Sequence, residues 1–297
     1  MRIRGNTGSK AAGARRLRFS LCLFLCPFLN QCETGLDSKS SDNDPKITNA
    51  QTAWTLVWSD EFDGTRLDTA SWNYDIGNGA WGWGNDEKQY YTDKESNVRL
   101  KDGNLIILAL REDIQGFHYT SARINTRGKA KWKYAKVEVR ARLPAGDGGA
   151  GLWPTIWLMP EANHWPYTGE IDIMEAYSPG LDTVWGNTHW WAPGVPLGFS
   201  ANNQTPFVAT DGSSFADGFH VYGMEWDSSR VDLFVDGVRY YRKAAYGNSD
   251  DFPYTTEFHL LLNLAVGGRT AEARGPLDIK TFPQEFIIDY VHVYQKK

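Results

Sequence analysis

Cysteine is missing from most of this chain. The three cysteines of the 297-residue sequence, Cys22, Cys26 and Cys32, all fall near the N-terminus. From residue 33 onward the chain has no disulfide and no cysteine-based metal site, and must rely on packing and backbone hydrogen bonds. Positive charge is also scarce there. Residues 1–31 carry six basic residues and no acidic one, and without them the formal net charge falls from −5 to −11. Polyanion binding draws on clustered positive charge, so the expected partners include no nucleic acid. The six histidines are scattered, with no His-x-x-x-His pair, which argues against a zinc site. No repeat is evident, and the helical period is almost absent. The one basic-then-apolar run, "RRLRFSLCLFLCPFLNQC" at 15–32, is too short to span a membrane comfortably.

That run has the n-region and h-region of a signal peptide, although no small-x-small cleavage site comes after it. Residues 1–32 are expected to be a signal peptide or signal-anchor-like leader, and the polar stretch 33–52 a flexible linker. The folded domain then covers 53–297. The protein is expected to be secreted or envelope-associated, periplasmic or a lipoprotein acylated at Cys32, although "FLNQC" lacks the small residues such a signal prefers. Asn203-Gln204-Thr205 is a glycosylation sequon, relevant only in a host that glycosylates exported proteins.

What is present has a period of two. In "KVEVRARLP" (136–144), Val137, Val139, Ala141 and Leu143 alternate with charged residues, as in a half-buried strand. "NLIILALRE" (104–112), "EFHLLLNLAVGG" (257–268) and "FIIDYVHVYQ" (286–295) read as further strands. "VDLFVDGVRYY" (231–241) reads as a hairpin turning at Asp236-Gly237. The fold class is therefore all-β, a sandwich. The stretches 77–86 and 192–218 are expected as surface loops, a common home for binding residues. Aromatics make up 14% of the chain, with 13 tryptophans, enough to fill a core, line a sugar-binding groove, or both.

"GEIDIMEAY" (169–177) sets acids in an apolar run. On a strand, Glu170 and Asp172 share one face, while Ile171 and Ile173 point the other way. Strict alternation would send Glu175 inward with the isoleucines. A β-bulge near Ile173 or Met174 returns it to the acidic face, and bulges favour active-site rims. Three gathered carboxylates repel one another and raise a pKa, which keeps one of them protonated as a general acid. Spacing alone leaves two carboxylate roles in glycoside hydrolysis, an exposed acidic strand and a calcium site all open. Trp153 and Trp157, four apart, can share a face of a neighbouring strand, and an aromatic plate suits a sugar ring. Arg123 breaks an apolar alternation in "SARI" and needs an acid or a ligand hydroxyl.

The Glu-x-Asp-x-x-Glu spacing after "LWPTIWLMP" resembles glycoside hydrolase family 16. So do "LVWSDEFDG" (56–64), "WGNDEKQYYT" (83–92), "NVRLKDGNLII" (97–107), "YTSARINTRGK" (119–129), "AKVEVRARLPAGDG" (135–148), "FHVYGMEW" (219–226), "LLLNLAVGG" (260–268) and "DYVHVY" (289–294). The likeness runs from about residue 54 to the end and is to the bacterial laminarinase-like branch. It implies a β-jelly-roll of two curved antiparallel sheets with a concave glycan cleft. It implies retaining endo-hydrolysis of β-1,3-glucan, with mixed-linkage 1,3-1,4-glucan or another plant or algal polysaccharide as the alternative, and a non-catalytic glucan-binding protein as a further one. Glu170 would be the nucleophile, Glu175 the acid/base and Asp172 their support. Trp153, Trp157, Trp165, Asn85, Glu87, Arg123 and His189 would bind substrate. No cofactor is required by this chemistry. Asp289, with Glu61 or backbone oxygens near the N-terminus, would be placed to bind structural calcium. The expected partner is a β-glucan, and the expected state a monomer. The chain departs from many relatives at "NTHWWAPG", where Trp190 and Trp191 add bulk and put the accepted linkage in question.

Overall fold

The computed structural model describes residues 53–145, 149–246, 251–280 and 282–297. The leader and linker assigned to 1–52 lie outside the described residues. The first strand of the described residues is Trp54–Asp60.

Two eight-stranded antiparallel sheets form the body. One, the back sheet, runs Val238–Ala244, Arg230–Val235, His220–Trp226, Lys136–Arg142, Gln284–Lys296, Asn104–Ala109, Val98–Lys101, with Trp54–Asp60 also paired to Gln284–Lys296. The other, the site sheet, runs Ala201–Asn202, Thr183–Trp190, Glu170–Ala176, Leu152–Pro160, Phe258–Val266, Arg123–Asn125, Asn73–Tyr74, with Thr205–Val208 also on Thr183–Trp190. This is the jelly-roll sandwich the resemblance implied.

Alternation decides what lies between the sheets. Val137, Val139 and Ala141 meet Leu260, Leu262, Leu264, Ile171 and Ile173 in one core cluster. Phe258–Val266 is buried along its whole length. Its even-numbered residues enter that core, while His259, Leu261, Asn263 and Ala265 face the other side under a second cover of side chains. A strand covered on both faces loses polar alternation, which is why this segment reads as a continuous apolar run. The turn at Asp236-Gly237 is as expected, with φ of 48° and 77°, the left-handed pair a tight hairpin needs.

Two loop expectations change. Within 192–218, Ala201–Asn202 and Thr205–Val208 are short strands that pair with Thr183–Trp190 and cover its edge, a common way to protect exposed backbone groups. Within 77–86, Gly82–Asp86 winds into a single tight turn. Gly82 makes this possible, since it has φ of 60° and a Cβ there would lie 2.4 Å from the Glu87 backbone nitrogen. The tryptophans divide between both roles: Trp72, Trp132 and Trp226 are in the core, while others gather on the outer face of the site sheet.

Candidate active site

The acidic strand Glu170–Ala176 lies between Leu152–Pro160 and Thr183–Trp190. Asp172 pairs with Asn187 and Glu175 with Trp185, so the register slips between them. On the other side Trp157 pairs with Asp172 and Ile156 with Met174, leaving Ile173 as the extra residue. The bulge is where the spacing required it. Ile171, Ile173 and Met174 all enter the core, and Asp172 and Glu175 stay with Glu170 on the outer face. The bulge frees a carbonyl, Ile173 O, which accepts a hydrogen bond from Tyr240 Oη at 2.8 Å. Tyr240 belongs to the back sheet, so one hydroxyl ties the sheets together at the bulge.

Asp172 is 2% exposed and Glu175 5% exposed. Burial, and then the charge of Glu170, push the Asp172 carboxyl well above the usual range. Burial also raises Glu175, against the opposing pull of His189, Tyr177 and Gln204. Both shifts favour a shared, partly protonated cluster over three carboxylates. His189 sits opposite Glu170 in register. Its Nε2 lies 3.3 Å from Asp172 Oδ2 and 4.0 Å from Glu170 Oε1, and its Nδ1 meets Ser200 Oγ at 2.7 Å. Burial opposes its charge, but the acids outweigh burial and push its pKa up to about 9. An imidazolium at neutral pH therefore offsets part of the negative charge.

Glu175 is gripped by three donors. Trp153 Nε1 donates to Oε1 at 3.2 Å, Tyr177 Oη to Oε1 at 2.9 Å and Gln204 Nε2 to Oε2 at 3.1 Å. Trp153 is 8% exposed and packed on Tyr177 with ring centroids 5.6 Å apart, so it braces the acid. Trp157 does lie on the outer face, with its Nε1 donating to Asn263 Oδ1 at 2.7 Å.

The remaining polar candidates form one connected group. Arg123 Nε donates to Asp75 Oδ2 at 2.9 Å. Its guanidinium lies between the rings of Trp83 and Trp157, at 4.4 and 4.8 Å from their centroids. Both demands of a half-buried arginine are met, an acid and a pair of π faces. Glu87 is buried and accepts from Gln89 Nε2 at 2.6 Å and Tyr91 Oη at 3.2 Å. Burial raises its pKa against the pull of Arg123, and Asn85 bonds to it as well. Tyr91 Oη in turn accepts from Asn263 Nδ2 at 3.3 Å, which joins Glu87 to Trp157. Gly268 lets this loop close, because a Cβ there would lie 3.0 Å from Asn85 O. Trp165, 36% exposed, stands at the other end with its ring 6.2 Å from His189.

Sequence reasoning missed Trp83, Tyr177, Gln204 and Arg274. Trp83 Nε1 is buried with no hydrogen-bond partner among the described residues. Tyr177 was legible, since it lies two residues beyond Glu175 and shares its face. Gln204 and Arg274 reach the site from distant segments and leave no local pattern.

Asp289 is ion-paired with Arg140, and Glu61 Oε1 meets His292 Nε2 at 2.8 Å. The register slips between Ile288 and Tyr290, and this irregularity brings Asp289 to Arg140 on the next strand. Calcium takes six to eight oxygen ligands, backbone carbonyls among them. Among the described residues, the group of metal-ligand type is Glu170, Asp172 and His189, with donor atoms within 4.8 Å of one another. Two oxygens and an imidazole do not suit calcium.

Comparison with known proteins agrees with the geometry. The model of the glycosyl hydrolases family 16 matches residues 85–290. A beta-glucanase of Rhodothermus marinus is 41% identical over 287 residues, covering 92% of this chain and 93% of that protein. The glucan endo-1,3-beta-glucosidase A1 of Niallia circulans is 35% identical over 284 residues, covering 88% of this chain and 40% of that longer protein. The X-ray structure of the laminarinase from Rhodothermus marinus aligns with a TM-score of 0.74 at 41% identity, over 82% of this chain and 98% of its own. The match spans the bulged acidic strand and most of both sheets, and the chain belongs to the glycosyl hydrolases family 16.

Proposed function

We propose that the protein is a retaining endo-glucanase that hydrolyses β-1,3-glucosidic bonds in laminarin-like β-glucans. The observation that carries this reading is the bulge that keeps Glu170, Asp172 and Glu175 on one face. The glucanase and laminarinase names of the relatives support the substrate.

Glucan lies across the outer face of the site sheet, against Trp157 and the Arg123 group. Glu175, whose proton is held more tightly because the carboxyl is buried, gives that proton to the glycosidic oxygen as Glu170 attacks the anomeric carbon. The C–O bond to the leaving sugar breaks, and an ester bond to Glu170 forms. Glu175, now ionised, takes a proton from water as that water attacks the same carbon. The ester opens, the sugar leaves with its original anomeric configuration, and Glu175 is protonated again. Asp172 and His189 hold Glu170 in a fixed field, with the imidazolium compensating the charge Glu170 carries between turnovers. No organic cofactor enters the cycle.

The leader-like run at 15–32 supports export to the cell envelope or beyond. Every residue used in the cycle comes from one chain, so a monomer suffices for it. The decisive test of function is a product time course on laminarin, barley mixed-linkage glucan and agarose for the wild type and Glu170→Gln. Mixed oligosaccharides should appear early from laminarin, and the variant should lose about 10⁴-fold or more in rate. Cleavage of another polymer alone would overturn the substrate, and binding without any cleavage would move the protein to the glucan-binding class.

A further inference from the structure

Glu175 is held by more than its own strand. Both Trp153 and Tyr177 donate to Oε1, whereas among the described residues Gln204 alone donates to Oε2. A carboxylate oxygen has two acceptor sites. Those of Oε1 are both in use, so the proton of the neutral acid belongs on Oε2, beside the Gln204 contact. An amide can present either end. Arg274 Nη2 donates to Gln204 Oε1 at 2.9 Å, which only the oxygen can accept, and this turns Nε2 toward Oε2 and toward Tyr177 Oη at 3.3 Å. Arg274 is itself held over the rings of Tyr177 and Trp185, 4.2 Å from each centroid.

We propose that Gln204, aimed by Arg274, is a positioning residue that fixes which oxygen of Glu175 carries the proton and at what pH that proton is lost. The proposal rests on Glu175 being the acid/base. The N–H of Gln204 favours the ionised carboxylate, and so makes it a better leaving partner for its proton in the first step. It also stays bonded in both charge states, because the second site of Oε2 is the one that gains and loses the proton. Tyr177 Oη completes the arrangement, since a hydroxyl can turn to donate or accept. Other charged or titratable groups face Glu175 as well: Glu170 and Asp172 on its own strand, His189 on the neighbouring one, and Tyr240 from the back sheet. None of these is altered in the variants that test the proposal.

The test is the pH profile of kcat/KM on laminarin, with thermal unfolding alongside, for the full chain and its Gln204→Leu, Arg274→Gln and Glu175→Gln variants. Activity falls on the basic side when Glu175 loses its proton. Removing a donor to the ionised form raises that pKa, so Gln204→Leu should move the basic limb upward by about one pH unit. Arg274→Gln, which frees the amide to turn, should move it the same way by less. Arg274 is exposed and its replacement should not disturb folding, so it carries the test if Gln204→Leu does not fold. A uniform loss of rate with an unmoved limb in these folded variants, or a downward shift, overturns the proposal. Glu175→Gln separates the two levels of inference. Its residual rate should be flat across the basic limb. A limb that persists there belongs to another group, such as His189, and sinks the acid/base assignment itself. A limb lost there but unmoved in the other two variants sinks only the role of Gln204.

Discussion

Each sheet of this protein buries an aspartate, and the two could hardly be treated more differently. Asp172 on the site sheet and Asp232 on the back sheet are both 2% exposed. Asp232 is ringed by arginines: Arg242 donates at 2.5 and 2.6 Å, Arg230 at 2.9 Å, and Arg239 lies 4.0 Å away. Asp172 has two glutamates on its own strand and a single histidine against it. Burying a carboxylate is costly unless it is paired. The back sheet meets that cost with guanidinium groups. The site sheet meets it by raising the pKa values of Asp172 and Glu175, and a raised pKa is what a general acid requires. A buried acid among arginines therefore marks structure, and a buried acid among acids marks function.

The largest effect expected from breaking this contrast is at Asp172. Asp172→Asn should lower kcat/KM on laminarin by about 100-fold, the scale of losing one preorganised electrostatic group. It should also change how stability depends on pH. A carboxyl whose pKa is raised in the folded state binds its proton more tightly there than in the unfolded chain. It thus contributes stability that is present below about pH 4 and is lost as pH rises through the folded value. Thermal unfolding between about pH 3 and 8 should show that loss in the wild type and a flatter profile in Asp172→Asn.

A middle-sized effect is expected at the other aspartate. Asp232→Asn should leave kcat/KM intact and lower stability by about 1–2 kcal/mol, a reduced value because the arginines are partly exposed and screened. Urea unfolding checks it. A loss of activity beyond the loss of folded protein would show that the back sheet also serves the site.

The smallest effect lies where the two regions meet. Tyr240→Phe leaves the Ile173 carbonyl without its donor, at a cost of about 1 kcal/mol. The same change should lower kcat several-fold by loosening the bulge under Glu175. Equal stability and equal kcat in the variant would mean that the bulge holds its shape without help from the back sheet.

The strands and the acidic face were legible because period two is local. Lys136–Arg142 and Phe258–Val266 announce themselves, and the same rule, applied to Glu170 and Asp172, forces the bulge before Glu175. The candidate site was half legible. Arg123 showed itself by standing out from an apolar alternation, but its partners Asp75 and Trp83 are on other segments. Gln204 lies on a short, polar edge segment, and Arg274 beyond the last strand of the site sheet, so no spacing connects either to Glu175. Asp289 hid its partner for a related reason. Its neighbour across the sheet, Arg140, is 149 residues away in the chain, and a charge partner at that distance has no signature in the sequence around it. Alternation places Trp153 on the outer face, as found, but it gives direction only and says nothing of what covers the ring, so its stack on Tyr177 was not legible.

The extra residue at Ile173 has a consequence for how the motif can vary. A strand is a two-letter rhythm, inside and outside, and this one changes phase once, between Asp172 and Glu175. A chain with one residue fewer in that interval keeps the rhythm unbroken and still presents all three acids outward. The longer and shorter spacings are then two spellings of the same surface. They differ on the hidden side, where only the longer one exposes a stray carbonyl and needs a hydroxyl from the opposite sheet to answer it. Shortening the motif in this protein would thus leave Tyr240, not the acids, as the residue without a purpose.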